Sequence, residues 1–161
     1  HQQRVDCFLA YYAENQLVYT KPYDGVLALL DWLQDQSMPW GIVTNKSEQL
    51  TFPLLAQLGW DQLTNCIVCG DTTPHPKPHP LPVQLALERL GVAAEFCWMI
   101  GDDIRDIQSG RAAGCRTAVA AWGYLGEGNT PEMLGGDEIL QRASDIPGLC
   151  SALTSLDKKL A

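Results

Sequence analysis

The stretch from Cys97 to Asp106, CWMIGDDIRD, constrains this chain more than any other. A short apolar run ends on Gly101 and passes directly into carboxylates at Asp102, Asp103 and Asp106. The apolar half reads as a buried strand, and Ile104 to Gly114 reads as a helix stopped by glycine. Asp102 and Asp103 therefore sit where a strand leaves its sheet. Two uses fit a carboxylate pair there. It can cap the helix and complement its dipole. It can also bind a hard cation such as Mg2+, which takes oxygen ligands and keeps waters and substrate phosphate around it.

The same alternation recurs upstream and downstream. Trp40 to Val43 is apolar and leads into Thr44, Asn45 and Lys46. A helical pattern then runs from Ser47 to Leu58 and stops at Gly59, with Pro53 placed to kink it or delay its start. Cys66 to Cys69 reads as a second strand, followed by a proline-dense loop, Pro74 to Pro80, that carries Lys77. A helix over Leu81 to Leu90, stopped at Gly91, leads back to the Cys97 strand, and Arg116 to Ala120 reads as a fourth. Beyond it the spacing predicts a loop over Trp122 to Gly136, a short edge strand at 138–140 and a closing helix over 147–156. Ahead of it, Asp24 is expected to open a helix that ends near Ser37. His1 to Asn15 reads as amphipathic, with Val5, Phe8, Leu9 and Tyr12 on one face. The whole pattern predicts an α/β protein, a Rossmann-like parallel sheet flanked by helices.

In such a sheet every strand's C-terminal end lies on one edge, and ligands bind there. Four kinds of chemistry converge on that edge. Thr44 can donate its hydroxyl to a phosphoryl oxygen, helped by backbone N–H groups at the start of the next helix. Asn45 can orient a substrate or cap that helix. Lys77 brings a compact positive charge, stiffened by prolines on both sides. Asp102 and Asp103 suit a cation that also offsets the negative field of the protein. Asp106 lies one helical turn beyond Asp102, where holding Lys77, holding a metal-bound water and facing solvent are all open to it. The set points to a phosphate group gripped through Mg2+.

Bulk properties narrow the field. The chain has 161 residues, 46% hydrophobic and 19% charged, which suits a globular domain with a real core. A net charge of −8 argues against nucleic acid and against an anionic membrane surface. No apolar run approaches the ~20 residues that span a bilayer, and no signal peptide is visible. Most of the six cysteines lie in apolar context, as buried thiols in a reduced compartment do, so a cytoplasmic location is expected. Cys66 and Cys69 form a CxxC, but three residues apart on a strand they point to opposite faces and are not expected to chelate. His75 and His79 flank Lys77 without the helical spacing of a metal-binding pair, and are expected to be bystanders. Trp122-Gly123-Tyr124 follows the fourth strand, where packing and bordering the site are both open to it.

Three pieces taken together, Ile42-Val43-Thr44-Asn45-Lys46, Lys77-Pro78-His79-Pro80 and Gly101-Asp102-Asp103-Ile104-Arg105-Asp106, resemble the second, third and fourth motifs of the haloacid-dehalogenase-superfamily phosphatases. Within that family the chain is most similar to the phosphoglycolate phosphatases. Cys69-Gly70-Asp71-Thr72 and Trp122-Gly123-Tyr124 also suit a relative acting on N-acetylmuramic acid 6-phosphate. The resemblance implies hydrolysis of a small phosphomonoester through an aspartyl-phosphate intermediate. It implies Thr44 and Lys77 on the phosphoryl group, with Asn45 beside them, and Mg2+ on Asp102 with Asp103.

The family's first motif, an aspartate pair after a strand, supplies the nucleophile and the general acid and base. It has no counterpart in this sequence, and Asp6, Asp24 and Asp31 are not in a strand-end context. Residues 1–19 resemble the last helix of the family's cap domain, and residues 20–161 an incomplete core domain. In the family the missing strand lies between those ending at Thr44 and Gly101. Without it two strands would face each other with unpaired backbone groups, so three arrangements are open: a fragment of a longer phosphatase, a chain whose absent part was not included, or a gap filled by another chain. The first two are favoured, and the 161 residues are expected to lack phosphatase activity by themselves. The alternative is a non-catalytic phosphate-binding or interaction module. A response-regulator receiver is set aside because its acidic pair should precede the threonine and lysine.

Overall fold

The computed structural model describes residues 20–151; the expected N-terminal helix and the boundary at residue 19 lie outside them. Along the chain come α1 (Val26–Asp35), β1 (Ile42–Val43), α2 (Glu48–Leu58), β2 (Ile67–Val68), α3 (Leu81–Leu90), β3 (Trp98–Gly101), α4 (Ile104–Ala112), β4 (Arg116–Ala120), α5 (Pro131–Leu134) and β5 (Glu138–Leu140). Residues 146–151 are again helical. All strand pairs are parallel: β1 with β2, β3 with β4, and β4 with β5. The α/β alternation and the parallel pairing are those expected from the sequence.

Several details differ from expectation. Helix α1 starts after Gly25, at φ 82°, with no side-chain cap, so Asp24 does not open it. Pro53 neither kinks α2 into two nor delays it; the helix begins at Glu48 and runs through the proline. Proline costs it one internal hydrogen bond, and burial of Thr51 and Leu55 on the same side holds it together. The loop after Trp122 contains the short helix α5.

Side chains alternate across the strands and sort the helices into two layers. Val43 and Met99 pack with Val83 and Leu87 of α3, and Ile107 of α4 packs with Val119. On the other face Ile42 and Ile67 meet Leu55 of α2, while Trp98 and Ile100 share a cluster with Leu29 of α1. Cys66 packs with Val68 and Ala86, whereas Cys69 packs with Leu55, so the CxxC pair is divided between the two faces.

The strands form two sheets, of order β1-β2 and β3-β4-β5. Helix α3 bridges them, touching Val43 of one and Met99 of the other. Among the described residues no strand lies between β1 and β3. Backbone directions show which edges are open. Ile42 and Thr44 donate to Cys66 and Val68, so Val43's N–H and C=O point away from β2. Arg116 donates to Cys97, in register Trp98↔Arg116, so the backbone groups of Trp98 and Ile100 point away from β4.

Candidate functional site

The C-terminal ends of β1 and β3 meet across this opening, and Lys77 ties them together. Its ammonium lies 2.6 Å from Asp106 Oδ1 and donates to the Val43 carbonyl at 2.5 Å. Lys77 and Asp106 are only 8% and 7% exposed, so the charge is held by geometry and kept from water. The proline-dense loop is fixed at both ends. The Asn45 side chain donates to the Lys77 carbonyl at 2.8 Å and accepts its N–H at 2.9 Å. Ser109, fully buried on α4, donates to the His79 carbonyl at 2.7 Å. The Lys77–Pro78 peptide bond is cis.

Thr44 follows β1 directly. Its hydroxyl oxygen accepts the Lys46 N–H at 3.1 Å, which leaves the hydroxyl proton to be donated. Nearby, Glu48 N–H donates to Asp71, and Thr72 donates its hydroxyl to Glu48 while accepting the Cys69 N–H. These bonds tie the end of β2 to the start of α2, and hold the loop around Thr44 in place.

The three carboxylates after β3 have three different environments. Asp103 is the N-cap of α4; its Oδ1 accepts the Arg105 N–H and Nε–H, both at 2.8 Å, and its Oδ2 the Arg105 Nη2–H at 2.5 Å. Arg105's hydrogen bond holds the Asp103 carboxyl down to about 2. Asp106 completes the capping box by accepting the Asp103 N–H at 3.2 Å while its other oxygen faces Lys77. Asp102 accepts the Tyr124 N–H on Oδ2 at 2.7 Å, and its Oδ1 has no hydrogen-bond partner among the described residues.

Glycines mark the close approaches. A Cβ on Gly101 would lie 2.5 Å from Asp106 Cγ, and one on Gly123 would lie 2.7 Å from Asp102 Cγ. Both distances are overlaps, so glycine at these two positions lets the carboxylates settle against the backbone.

Each residue singled out in the sequence therefore has a place. Thr44, Lys77, Asp102, Asp103 and Asp106 stand on one rim. Asn45 stands there too, but both polar atoms of its amide serve the Lys77 backbone, and Ser47, not Asn45, occupies the N-cap position of α2. Asp103 caps α4 with both oxygens on Arg105, and Asp102 carries the open oxygen. Asp106 takes the first of its three open uses, holding Lys77. His75 and His79 stack with centroids 4.7 Å apart, and His79 Nδ1 accepts the Leu81 N–H. Sequence reasoning missed Ser109 and Arg105. Ser109 had a signal: it is a polar residue three positions after Asp106, hence on the same helix face.

A hollow of about 250 Å3 lined by Asp103, Ile104, Tyr124, Leu125 and Met133 adjoins the rim. A larger one, about 910 Å3 and lined by Lys21, Tyr23, Trp122 and Arg142, shares none of the rim residues. Among the described residues no three His, Cys, Asp or Glu side chains converge as a metal cage. Mg2+ needs no such cage, since one or two carboxylates with substrate phosphate and water suffice. Asp102, at the end of β3 with one oxygen open, fits that pattern.

Comparison with known proteins gives a consistent picture. The model of the haloacid dehalogenase-like hydrolases matches residues 1–120. A phosphoglycolate phosphatase of Xylella fastidiosa is 43% identical over 123 residues, which are 76% of this chain and 54% of that protein. An N-acetylmuramic acid 6-phosphate phosphatase of Pseudomonas aeruginosa is 37% identical over 139 residues, 86% of this chain and 62% of its own length. The crystal structure of a predicted phosphoglycolate phosphatase from Haemophilus somnus superposes with a TM-score of 0.82 at 28% identity, covering 88% of this chain and 63% of that one. The chain thus spans between about half and two thirds of the length of these relatives.

Proposed function

The chain belongs to the haloacid dehalogenase-like hydrolases, and we propose that it forms the phosphoryl-gripping part of a Mg2+-dependent phosphatase for small phosphomonoesters, phosphoglycolate-like or sugar phosphates. The observation that carries this reading is the placement of the Lys77 ammonium, buried against Asp106, on the same rim as the free hydroxyl proton of Thr44 and the open oxygen of Asp102. A phosphoryl group in that position has a cation, a hydroxyl donor and a carboxylate suited to its counter-ion. Asp102 would hold Mg2+, which supplies charge neutralisation on the phosphoryl oxygens when bound.

Within this reading Lys77 and Thr44 stabilise charge as it develops on the transferring group. Asn45 and Ser109 keep the Lys77 loop in position, and Asp106 keeps the ammonium aimed. The nucleophile is a carboxylate supplied from outside these 161 residues, whose sequence holds no counterpart of the family's first motif. Its oxygen bonds to phosphorus as the ester oxygen leaves and takes a proton; water then cleaves the aspartyl-phosphate, releasing inorganic phosphate. These 161 residues alone are accordingly inactive.

The test is titration of the purified chain with inorganic phosphate in the presence of Mg2+, followed calorimetrically, beside an assay with phosphoglycolate. Saturable, Mg2+-dependent binding that Lys77→Met abolishes, without turnover, is the expected result. Binding indifferent to Lys77→Met, or turnover free of contaminating phosphatase, would overturn it. In a strand-complete enzyme, Lys77→Ala should cost about 2.7–4 kcal/mol of transition-state stabilisation. Turnover unchanged by Lys77→Ala would rule out that role for Lys77, and phosphate binding with no turnover in the strand-complete protein would favour the non-catalytic module.

A further inference from the structure

We infer that Cys97 and Cys115 form an oxidative modification site, in which Cys97 reacts with a peroxide and Cys115 then closes a disulfide with it. The proposal is independent of the phosphatase reading, since the pair lies at the opposite edge of the sheet from Thr44, Lys77 and Asp102. Cys97 immediately precedes β3 and Cys115 immediately precedes β4. These strands run parallel in the register Trp98↔Arg116, and the Arg116 N–H donates to the Cys97 carbonyl at 3.1 Å. One step back from that register the two cysteines are neighbours on adjacent chains. Adjacent strands stand about 4.8 Å apart, within the range of about 4.4–6.8 Å between Cα atoms that a disulfide spans. Both side chains also fall on one face of the sheet, in the cluster that holds Val83 and Leu87 of α3.

Both backbones are pinned before the strands begin. The Cys97 N–H donates to the Ala94 carbonyl at 3.0 Å. On the other chain the Cys115 N–H donates to the Gly110 carbonyl and the Gly114 N–H to Arg111, both at 3.0 Å, with Gly114 at φ 88°, a glycine stop that ends α4. Joining the sulfurs therefore asks for side-chain rotation and little backbone movement. The other cysteines among the described residues stand elsewhere. Cys66 and Cys69 are divided between the two faces of the first sheet, and Cys150 belongs to the cluster of Trp98 and Ile100, on the far face of β3.

The two thiols have different parts. Cys115 is buried and Cys97 half-buried, so a small oxidant meets Cys97 first. The Cys97 S–H donates to the Trp98 carbonyl at 3.7 Å; once ionised, Cys97 accepts the Cys115 S–H, which holds its thiol below the ordinary range. The same contact, with burial, pushes the Cys115 thiol up, and burial raises Cys66, Cys69 and Cys150 too. The thiolate is the reactive form, so Cys97 attacks and Cys115 resolves. The Cys97 sulfur bonds to one peroxide oxygen as the O–O bond breaks; the departing hydroxide takes up the proton that Cys97 released and leaves as water, with a sulfenic acid on Cys97. The Cys115 sulfur then bonds to the Cys97 sulfur as the S–O bond breaks, and the second hydroxide leaves as water with the Cys115 proton. The peroxide gains two electrons and the thiol pair loses two. The finished bond closes residues 97–115 into a loop that holds α4 together with Asp102, Asp103 and Asp106, which restricts the unfolded chain and braces the folded one.

The experiment treats the folded 161-residue chain with hydrogen peroxide, blocks the remaining thiols, digests with trypsin without reductant and weighs the peptides. Peptides 90–105 and 112–116 should appear joined, two hydrogens lighter than their sum, and should separate on addition of dithiothreitol. Cys97 should be consumed roughly tenfold or more faster than Cys66, Cys69 and Cys150. The oxidised chain should unfold at a higher urea concentration than the reduced one and lose that gain with dithiothreitol. Cys115→Ser should stop at a sulfenic acid on Cys97, trapped by dimedone, and Cys97→Ser should leave Cys115 unmodified at the same dose. The joined peptide is read on the unsubstituted chain, so a serine variant that fails to fold leaves the test intact. Absence of the joined peptide, Cys97 joined instead to another cysteine or to a second chain, Cys115 oxidised as fast without Cys97, or an unchanged urea midpoint would overturn the proposal.

Discussion

Strands β1 and β3 differ from strands β2 and β4 in a way that inverts the usual parallel sheet. Central strands of such a sheet are covered on both faces and paired on both edges, and so are its most buried part. Here Val68 and Val119 are 0% exposed, while Val43 and Ile100, nearer the middle, are only partly buried. The half-covered strands are also those that carry Thr44 and Asp102 at their ends. Stability and the candidate chemistry are thus drawn from different strands. The chemistry side is held by a few polar bonds around Lys77, the stability side by close apolar packing.

The largest expected effect breaks the polar side. Lys77→Met leaves the Asp106 carboxylate buried without its cation, and should cost about 3–5 kcal/mol in urea unfolding. A loss below about 1 kcal/mol would show that the Lys77–Asp106 pair does not fasten the two sheets together, and the contrast between the strand pairs would lose its polar half. The next measures the apolar side. Val119→Ala removes two fully buried methyl groups and should cost about 2–3 kcal/mol, whereas Val43→Ala on the open edge should cost less than about 1 kcal/mol. Equal costs would mean that β1 is packed as well as β4. Gly101→Ala should cost about 1–3 kcal/mol, because the new Cβ overlaps Asp106 and that carboxylate cannot move without losing Lys77. It should also weaken phosphate binding, which an unrelated surface substitution would leave alone.

Much of the fold was legible because its signals are local. Gly59 and Gly91 end α2 and α3 where the apolar period stops, and β3 to α4 follows the run from Trp98 through the Asp103 cap. The rim was legible because parallel strands must deliver their C-terminal ends to one edge. The roles within it were not. Asn45 and Lys77 are 32 positions apart, and nothing in the sequence says that an amide will clamp a backbone so distant. The division of labour between Asp102 and Asp103 was hidden for a related reason. It depends on Arg105 folding back onto Asp103 and on the Tyr124 N–H reaching Asp102, and adjacent carboxylates look alike until their neighbours are placed. Pro53 misled because a proline's local cost was weighed without the burial of Thr51 and Leu55 around it.

The smallest expected effect isolates burial from charge. Asp103 with Arg105 and Asp106 with Lys77 are both carboxylate–cation pairs on the same helix start, but Arg105 is 54% exposed at its side chain and Lys77 8%. Asp103's carboxyl is held at about 2 against an ordinary 3.8, so its favourable contribution is present above the higher value and lost as pH falls through the interval between them. Arg105→Ala should remove that depression and flatten the acid limb of stability between these two values. At neutral pH the loss should stay below about 1 kcal/mol, because water and salt screen an exposed pair. Urea unfolding of the parent and of Arg105→Ala at neutral and acid pH measures both. If Arg105→Ala matched Lys77→Met in cost, charge and not enclosure would govern the rim, and the open strands would owe their order to electrostatics that solvent can reach.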